Sequence, residues 1–235
     1  MGTKERRARH KQTLRQAILA TARRLFVEQG YERATMRQIA HEIEYTPGII
    51  YTHFADKRDL FKCLCREVYS ELGTVLEPIA RGAGSPLDRL RRGLAAYFRY
   101  GLANSGLYRL AFLMEAPVDP ADSPLQPDAP AGRLFNQLRA LIGEGIRSGE
   151  IRPVQPQAAA QTLWAAVHGL TALLITDPSF PWLRPKVLIN SLIETLIEGL
   201  RNHGLKRSGR RPRKTSRWRG TYVDILPPAR RTPRL

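Results

Sequence analysis

The chain has 235 residues, 43% hydrophobic and 25% charged, a composition that excludes collagen-like, low-complexity and fully disordered proteins. Its 38 basic residues against 21 acidic ones give a net charge of +17, which points to an anionic partner, with nucleic acid first. The excess lies at the ends: residues 1–15 hold six basic residues and one acidic, and residues 206–235 hold eleven and one. We therefore expect a basic arm over 1–13 and a basic, disordered tail over 206–235.

The cellular location of the protein can be predicted from the targeting and membrane-spanning segments that its sequence lacks. The N-terminus has no apolar stretch, and the longest apolar run, 163–175, is 13 residues long and interrupted by His168. Neither a signal peptide nor a membrane span is therefore expected. Cys63 and Cys65 are two residues apart on a predicted helix, so they are poorly placed to pair. These features predict a cytoplasmic protein that does not bind a membrane.

Apolar residues at helical spacing predict nine helices and no strands, so the expected fold class is all-α. The first helix covers 14–29 and ends at Gly30, and the second follows a capping Thr35 for about nine residues. Thr46 and Pro47 begin a third helix that runs to about residue 54. The fourth, capped by Asp56, covers 57–77 and ends before Pro78.

Five more helices are predicted, over 86–103, 107–115, from 133, 158–175 and 185–202. Residues 116–132 contain five prolines and predict an irregular loop. The last helix carries apolar doublets four residues apart, and the helix before it is apolar on nearly all sides. Pairing both with a second copy would form a four-helix bundle, although they can also simply form the core of a monomer. The predicted homodimer interface consists of Leu188, Leu192, Ile193, Leu196, Ile197 and Leu200.

The second and third helices have the spacing of a helix-turn-helix, in which the second helix enters the DNA major groove. Apolar residues on the second helix, including Ile39 and Ala40, can pack against Ile50 and Phe54 of the third. The outward side of the third helix is small and weakly charged, as a surface that reads base edges requires.

This segment reads TMRQIAHEIEYTPGIIYTHFADKRDLF and resembles the DNA-binding region of the TetR family of transcriptional regulators. The match covers about residues 14–62. The resemblance implies a three-helix DNA-binding domain over 14–56 and a helical ligand-binding and dimerisation domain over 57–205. It also implies a homodimer that leaves a palindromic operator in double-stranded DNA when a small molecule binds.

The resemblance assigns DNA contacts residue by residue. Phosphate contacts fall to Thr35, Tyr51, His53 and Lys57, and base or near-base contacts to Arg37, Thr46, Pro47, Gly48, Ile49 and Thr52. In the alternative, Thr35 is only a helix cap, Tyr51 a partly buried aromatic and His53 a solvated residue. Glu44 stands where the family usually has glycine, so the turn either holds a strained residue or is built differently.

The eighth helix contains Trp164, His168 and Gly169, which resembles a subgroup of the family with a Trp-His-Gly motif. This face of the helix either lines a ligand cavity or serves packing alone. The predicted ligand-binding residues are Tyr97, Tyr100, Tyr108, Phe112, Trp164, His168 and Thr171, and their aromatic character favours a hydrophobic effector.

No cofactor, metal or catalytic set is expected, because the histidines and cysteines lack metal-binding spacing and no serine occupies a nucleophile elbow. We therefore expect a ligand-responsive repressor and not an enzyme. An activator of the same family stays open as the alternative. A basic helical protein that binds RNA or acts as a scaffold is the alternative from a different class.

Overall fold

The computed structural model describes residues 3–114, 126 and 128–204, so the predicted basic tail lies outside the described residues. Nine α-helices and one π-helical segment, Arg109–Leu113, occur in this part. In chain order the α-helices are α1 (Thr3–Gln29), α2 (Met36–Glu42), α3 (Pro47–Tyr51), α4 (Lys57–Arg81), α5 (Pro86–Ala103), α6 (Ser105–Tyr108), α7 (Pro130–Arg147), α8 (Pro156–Thr176) and α9 (Pro185–Leu200). The only β pairing among the described residues is an isolated bridge between Ile151 and Arg201. The all-α prediction is confirmed.

The basic N-terminal segment is helical, which corrects the expectation of an arm that precedes the first helix. α1 begins at Thr3, and residues 4–13 are its exposed first turns. The segment consists mostly of lysine, arginine, glutamine and alanine, which form helices readily and need no buried face. The five basic residues of this segment therefore lie on the exposed surface of a helix.

Several helix boundaries also differ from the sequence prediction. α4 continues through Pro78 to Arg81, and Gly82 follows it as the C-cap. The Gly82 N–H donates to the Ile79 carbonyl, and this bond closes the last turn of the helix after the proline. α7 begins at Pro130 and so includes the last residues of the predicted loop. The predicted sixth helix is divided into α6 and the π-helical segment.

Two hydrophobic clusters divide the core, and α4 contributes to both. The first joins α1, α2 and α3 to the N-terminal half of α4, with Phe26, Ile50 and Phe61 at its centre. The second joins the C-terminal half of α4 to α5, α7, α8 and α9, starting at Leu72. One continuous helix thus runs from the helix-turn-helix into the C-terminal core. The division of the chain into domains at residue 57 stays a prediction.

α5 lies at the centre of the C-terminal part, where it contacts α4, α7, α8 and α9. Gly101 allows the close approach of α5 to α8. A Cβ atom there would lie 2.5 Å from Cγ2 of Thr171 and 3.0 Å from the ring of Tyr108. Since real Cβ contacts are never that short, this crossing requires glycine.

Candidate DNA interface and ligand cavity

A capping box fixes the start of the helix-turn-helix. The Thr35 hydroxyl accepts a hydrogen bond from the Gln38 backbone N–H at 3.1 Å, and the Gln38 side chain accepts one from the Thr35 N–H at 2.9 Å. α2 buries Met36, Ile39 and Ala40 and exposes Arg37. Thr35 therefore has the capping role proposed as its alternative, and it still lies exposed at the N-terminus of a helix, where a phosphate is favoured.

Glu44 forms the turn in the left-handed conformation, with a φ angle of 61°. The next N–H group, that of Tyr45, bonds to the Ala40 carbonyl at 2.9 Å. The turn thus keeps the backbone path that glycine would take. This left-handed conformation is less favourable for glutamate than for glycine, because glutamate has a Cβ atom.

α3 presents the surface that the sequence predicted. Ile50 is fully buried, as is Phe54 just after the helix, whereas Tyr51 is 53% exposed. The predicted base-contacting residues of this segment are all exposed except Ile49, which is half-buried; they are Thr46, Pro47, Gly48 and Thr52. No described atom lies within 4 Å of a Cβ built on Gly48, so the surface is open for close approach.

Arg15 of α1 supports α3 from behind, a role that sequence reasoning missed. Its guanidinium lies 4.4 Å above the ring of Phe54 and donates to the His53 carbonyl at 3.4 Å and to Cys63 Sγ at 3.5 Å. These contacts tie the end of α3 to α1 and α4. A basic residue on an otherwise apolar helix face was the signal in the sequence.

The Lys57 ammonium is bonded to carbonyl groups of the protein itself, and the phosphate contact that the resemblance gave it stays a prediction. Its Nζ donates to the carbonyls of Tyr31 at 2.9 Å, Glu32 at 3.3 Å and Ala34 at 3.3 Å, and lies 4.2 Å from the Tyr31 ring centre. The ammonium has three N–H groups, and three carbonyl oxygens accept hydrogen bonds from it. Lys57 therefore holds the loop between α1 and α2.

A basic groove lies between the first turns of α1 and the end of α3. Its walls hold the basic residues of α1 on one side and α3 residues on the other, namely Arg6, Arg7, His10, Lys11, Leu14, Ile49, Thr52 and His53, around about 500 Å³. The pKa of His53 is lowered by burial and by the charges of Lys11 and Arg15. His53 is therefore held in its neutral form, beside an accumulation of positive charge.

An apolar cavity of about 110 Å³ lies among α4, α5, α7 and α8. Most of its wall is aliphatic or aromatic, including Leu72, Leu76, Leu94 and Leu138. Three of the seven predicted ligand-binding residues line it: Tyr97, Phe112 and Trp164. Direct contact of these three with a ligand stays a prediction.

The other four predicted ligand residues lie outside the cavity wall. The hydroxyl of Tyr108 lies 2.5 Å from His168 Nδ1 and 3.0 Å from the Tyr97 hydroxyl, in a buried cluster. The hydroxyl of Thr171 donates to the Val167 carbonyl at 2.7 Å. Tyr100 points toward α4, where its hydroxyl donates to the Glu71 carboxylate at 3.2 Å. Each polar tip therefore already has a hydrogen-bond partner inside the protein.

The cluster around His168 supports the cavity wall from behind. Burial lowers the pKa of His168, raises the pKa of Tyr97 to about 12 and raises the pKa of Tyr108, so each of the three favours its neutral form. The Phe112 ring, which lines the cavity, stacks on the Tyr108 ring at 4.6 Å between centroids. The motif histidine therefore packs behind the cavity wall, bonded to tyrosine hydroxyls.

Arg89 of α5 also lines the cavity, and sequence reasoning gave it no role. It is 9% exposed. Its Nη1 donates to the Ala80 carbonyl at 2.9 Å, and its Nη2 forms an ion pair with Glu144 of α7. A buried arginine at the edge of an apolar cavity is the feature that distinguishes this wall from an ordinary core.

Comparisons with known proteins agree with this arrangement. The model for bacterial regulatory proteins of the tetR family matches residues 18–64, and the model for a tetracyclin repressor-like C-terminal domain matches residues 90–199. The chain belongs to the TetR family. The two matches coincide with the helix-turn-helix and with the helices around the cavity.

Individual TetR-family relatives match this chain over stretches of different length. The HTH-type transcriptional repressor AcnR of Corynebacterium diphtheriae is 44% identical over 62 residues, 26% of this chain and 33% of that protein. The match therefore spans about a third of this curated relative. The fatty acid metabolism regulator protein of Bacillus subtilis is 23% identical over 79% of this chain and 94% of its own.

A crystal structure of a tetR-family bacterial regulatory protein from Rhodococcus RHA1 has the same fold. It superimposes with a TM-score of 0.66 at 20% identity, over 81% of this chain and 98% of that one. At this identity the likeness concerns the fold alone.

The predicted interface residues of this TetR-family chain all lie on α9, where they form two sets. Ile193, Ile197 and Leu200 are buried in the protomer's own core, which corrects their assignment to the interface. Leu188, Leu192 and Leu196 form the outward row of the doublets and are half-buried. The doublet spacing produces two adjacent rows of apolar residues on one helix. The isoleucine row is the one buried where α9 packs against α5 and α8.

α8 is uncommonly apolar for a helix that is partly uncovered. It is long and apolar enough to span a membrane by length and composition, with a mean hydropathy of 1.4, although only 28% of this stretch is buried. The described residues contain no group of three or more histidine, cysteine or acidic side chains that could hold a metal ion.

Proposed function

We propose that this protein is a cytoplasmic DNA-binding repressor that acts as a homodimer on a palindromic operator and is released by a small apolar effector. The observation that carries this proposal is the exposed face of α3 beside the basic groove of α1. Thr46, Pro47, Gly48 and Thr52 would offer small groups to base edges, while the basic residues of α1 that line the groove would bind phosphates beside them.

A homodimer would repeat this surface across a two-fold axis, and the proposed operator is palindromic for that reason. Two copies of α3 would meet two half-sites about one helical turn apart. Selection of bound duplexes from random DNA tests this: we expect an inverted repeat to be enriched. Equal binding to random duplex DNA and to random RNA of the same length would refute sequence-specific regulation.

The homodimer rests on the uncovered face of α8 and α9. Leu173 and Val187 are 51% and 50% exposed, and the half-buried row of Leu188, Leu192 and Leu196 lies on the same pair of helices. Gly169 and Gly199 have no described atom within 4 Å of a built Cβ, so a partner's helices can approach closely. Under this proposal the glycine of the Trp-His-Gly motif serves the dimer contact, and Trp164 serves the cavity.

Leu192→Glu tests the dimer, because an unpaired carboxylate in an apolar interface is costly. We expect a folded monomer by light scattering and helical circular dichroism. The matched control is Ser191→Glu, whose exposed neighbouring position lies outside the leucine row. A dimeric Leu192→Glu protein would place the interface elsewhere.

The effector is proposed to act through α4. This helix begins at Lys57, which holds the loop before the helix-turn-helix, and its other end supplies Leu72, Leu76 and Ile79 to the cavity wall. A ligand that prefers a different setting of this end shifts the DNA-binding end with it. A tenfold loss of operator affinity requires a difference of about 1.4 kcal/mol in ligand binding between the two states.

Filling the cavity tests this mechanism without removing any contact. Gly93 lines the cavity, and a Cβ built there meets no described atom within 4 Å. Gly93→Leu should retain operator binding and abolish release by apolar compounds such as 1-octanol and naphthalene. Gly143→Leu, on α7 outside the cavity wall, is the control. Unchanged release from Gly93→Leu protein would exclude this cavity as the effector site.

A further inference from the structure

The buried Arg89 uses only part of its hydrogen-bonding capacity. Nη1 is bonded to the Ala80 carbonyl in the last turn of α4, and Nη2 to the Glu144 carboxylate of α7. The Nε atom is buried and has no hydrogen-bond partner among the described residues. A buried N–H group without an acceptor is unfavourable and rare in proteins.

The unused donor and Nη2 lie on the same edge of the guanidinium. A carboxylate prefers to accept from both nitrogens of such an edge, in two parallel hydrogen bonds. Glu144 reaches Nη2 only. The Nε and Nη2 edge of Arg89 is therefore a fork that can bind both oxygens of a carboxylate, and Glu144 occupies only its Nη2 position.

A polar recess of about 380 Å³ adjoins the apolar cavity and is lined by Glu144, the partner of Nη2. The two spaces share the wall residues Ala80, Gln137 and Leu141. The recess contains more basic than acidic side chains, namely Arg81, Arg133 and Arg147 against Glu77 and Glu144. The side chain of Glu144 is 45% exposed, so it can turn into water when a competitor arrives.

We propose that the cavity takes a molecule with an apolar body and a single carboxylate, and that this carboxylate replaces Glu144 on the Nε and Nη2 atoms of Arg89. The apolar body fills the space beside Leu94 and Leu138, and the charged end lies toward the recess. This inference rests on the proposed role of the cavity as the effector site. It adds the charge of the effector, which the aromatic wall alone did not indicate.

Calorimetric titration of the purified full chain with octanoate, 1-octanol and octylamine at pH 7.5 tests the proposal. The three probes share one chain and differ in their end group. We expect octanoate to bind at least about tenfold more tightly than 1-octanol, which corresponds to about 1.4 kcal/mol, and octylamine to bind most weakly. The arginines of the recess and Arg89 repel the ammonium.

Two variants examine the fork itself. Arg89→Met should bind 1-octanol and octanoate equally, because the cation is gone and the chain length is kept. Glu144→Gln should bind octanoate several-fold more tightly than the wild type and leave 1-octanol unchanged, because a charged competitor has been removed. A purely structural Arg89–Glu144 pair predicts no such gain. Arg139→Met, exposed on the same helix as Glu144 and outside both cavities, is the control.

The outcomes separate this inference from the proposed function. Equal binding of octanoate and 1-octanol to the wild type, or no gain with Glu144→Gln, overturns the carboxylate assignment and leaves the cavity as an apolar site. Absence of binding by all three probes overturns both. If Arg89→Met fails to fold, the comparison of Glu144→Gln with Arg139→Met still decides the question.

Discussion

Removing the charge of Lys57 should destabilise the protein more than it weakens DNA binding. Lys57→Met keeps the aliphatic stem beside Tyr31 and removes the ammonium that donates to three carbonyls of residues 31–34. Hydrogen bonds from charged donors each contribute about 1.5–3 kcal/mol. Because Lys57 is half-buried and one ammonium serves all three bonds, we expect a total loss of about 2–4 kcal/mol in the free energy of unfolding.

Urea denaturation followed by circular dichroism measures this loss, and amide exchange of residues 31–35 shows whether the loop has been released. Arg58→Met is the matched control, because Arg58 is the next residue of α4 and is exposed. We expect its unfolding free energy to stay within about 0.5 kcal/mol of the wild type.

The salt dependence of operator affinity separates the structural role from a phosphate contact. Loss of one phosphate contact lowers the slope of log K against log salt concentration by about 0.9. Lys57→Met with an unchanged free energy of unfolding and a reduced slope would refute the reasoning from the loop carbonyls. It would show instead that the lysine turns toward DNA when the complex forms.

Three further predictions concern DNA binding and packing. Tyr51→Phe should weaken binding to all duplexes alike, whereas Thr46→Ala should change the preferred sequence; filter binding to a panel of operator variants compares them. Operator affinity should rise as the pH falls from 8 to 6. The pKa of His53 is lowered in the free protein and should rise when a DNA phosphate lies beside it, so DNA binding takes up a proton. His53→Gln should flatten this dependence in anisotropy titrations, and an unchanged dependence would assign it to another group. Gly101→Ala should lower the unfolding free energy by about 1–3 kcal/mol through overpacking against α8, whereas Gly143→Ala should not; equal thermal melts of the two variants would contradict the crossing geometry.

Most local elements of this protein could be predicted from short stretches of the chain. Helix caps and helix-starting prolines depend on neighbouring residues, so the starts of α4, α5 and α9 followed from Asp56, Pro86 and Pro185. The helix-turn-helix was readable for the same reason, since its turn and both of its helices lie within about twenty residues. The left-handed conformation of Glu44 was one of the two options that the sequence allowed, the other being a turn with a different backbone path.

The partner of each side chain depends instead on how the helices pack together. The doublets of α9 offered two apolar rows, and only packing against α5 and α8 selected the row of Ile193 for the core. Lys57 finds its carbonyls 23 to 26 residues earlier in the chain, and Arg89 meets Glu144 55 residues later. Periodicity reports which face of a helix is apolar, but burial, hydrogen-bond partners and cavities arise where distant segments meet. For that reason the cavity wall and its buried arginine emerged only from the folded chain.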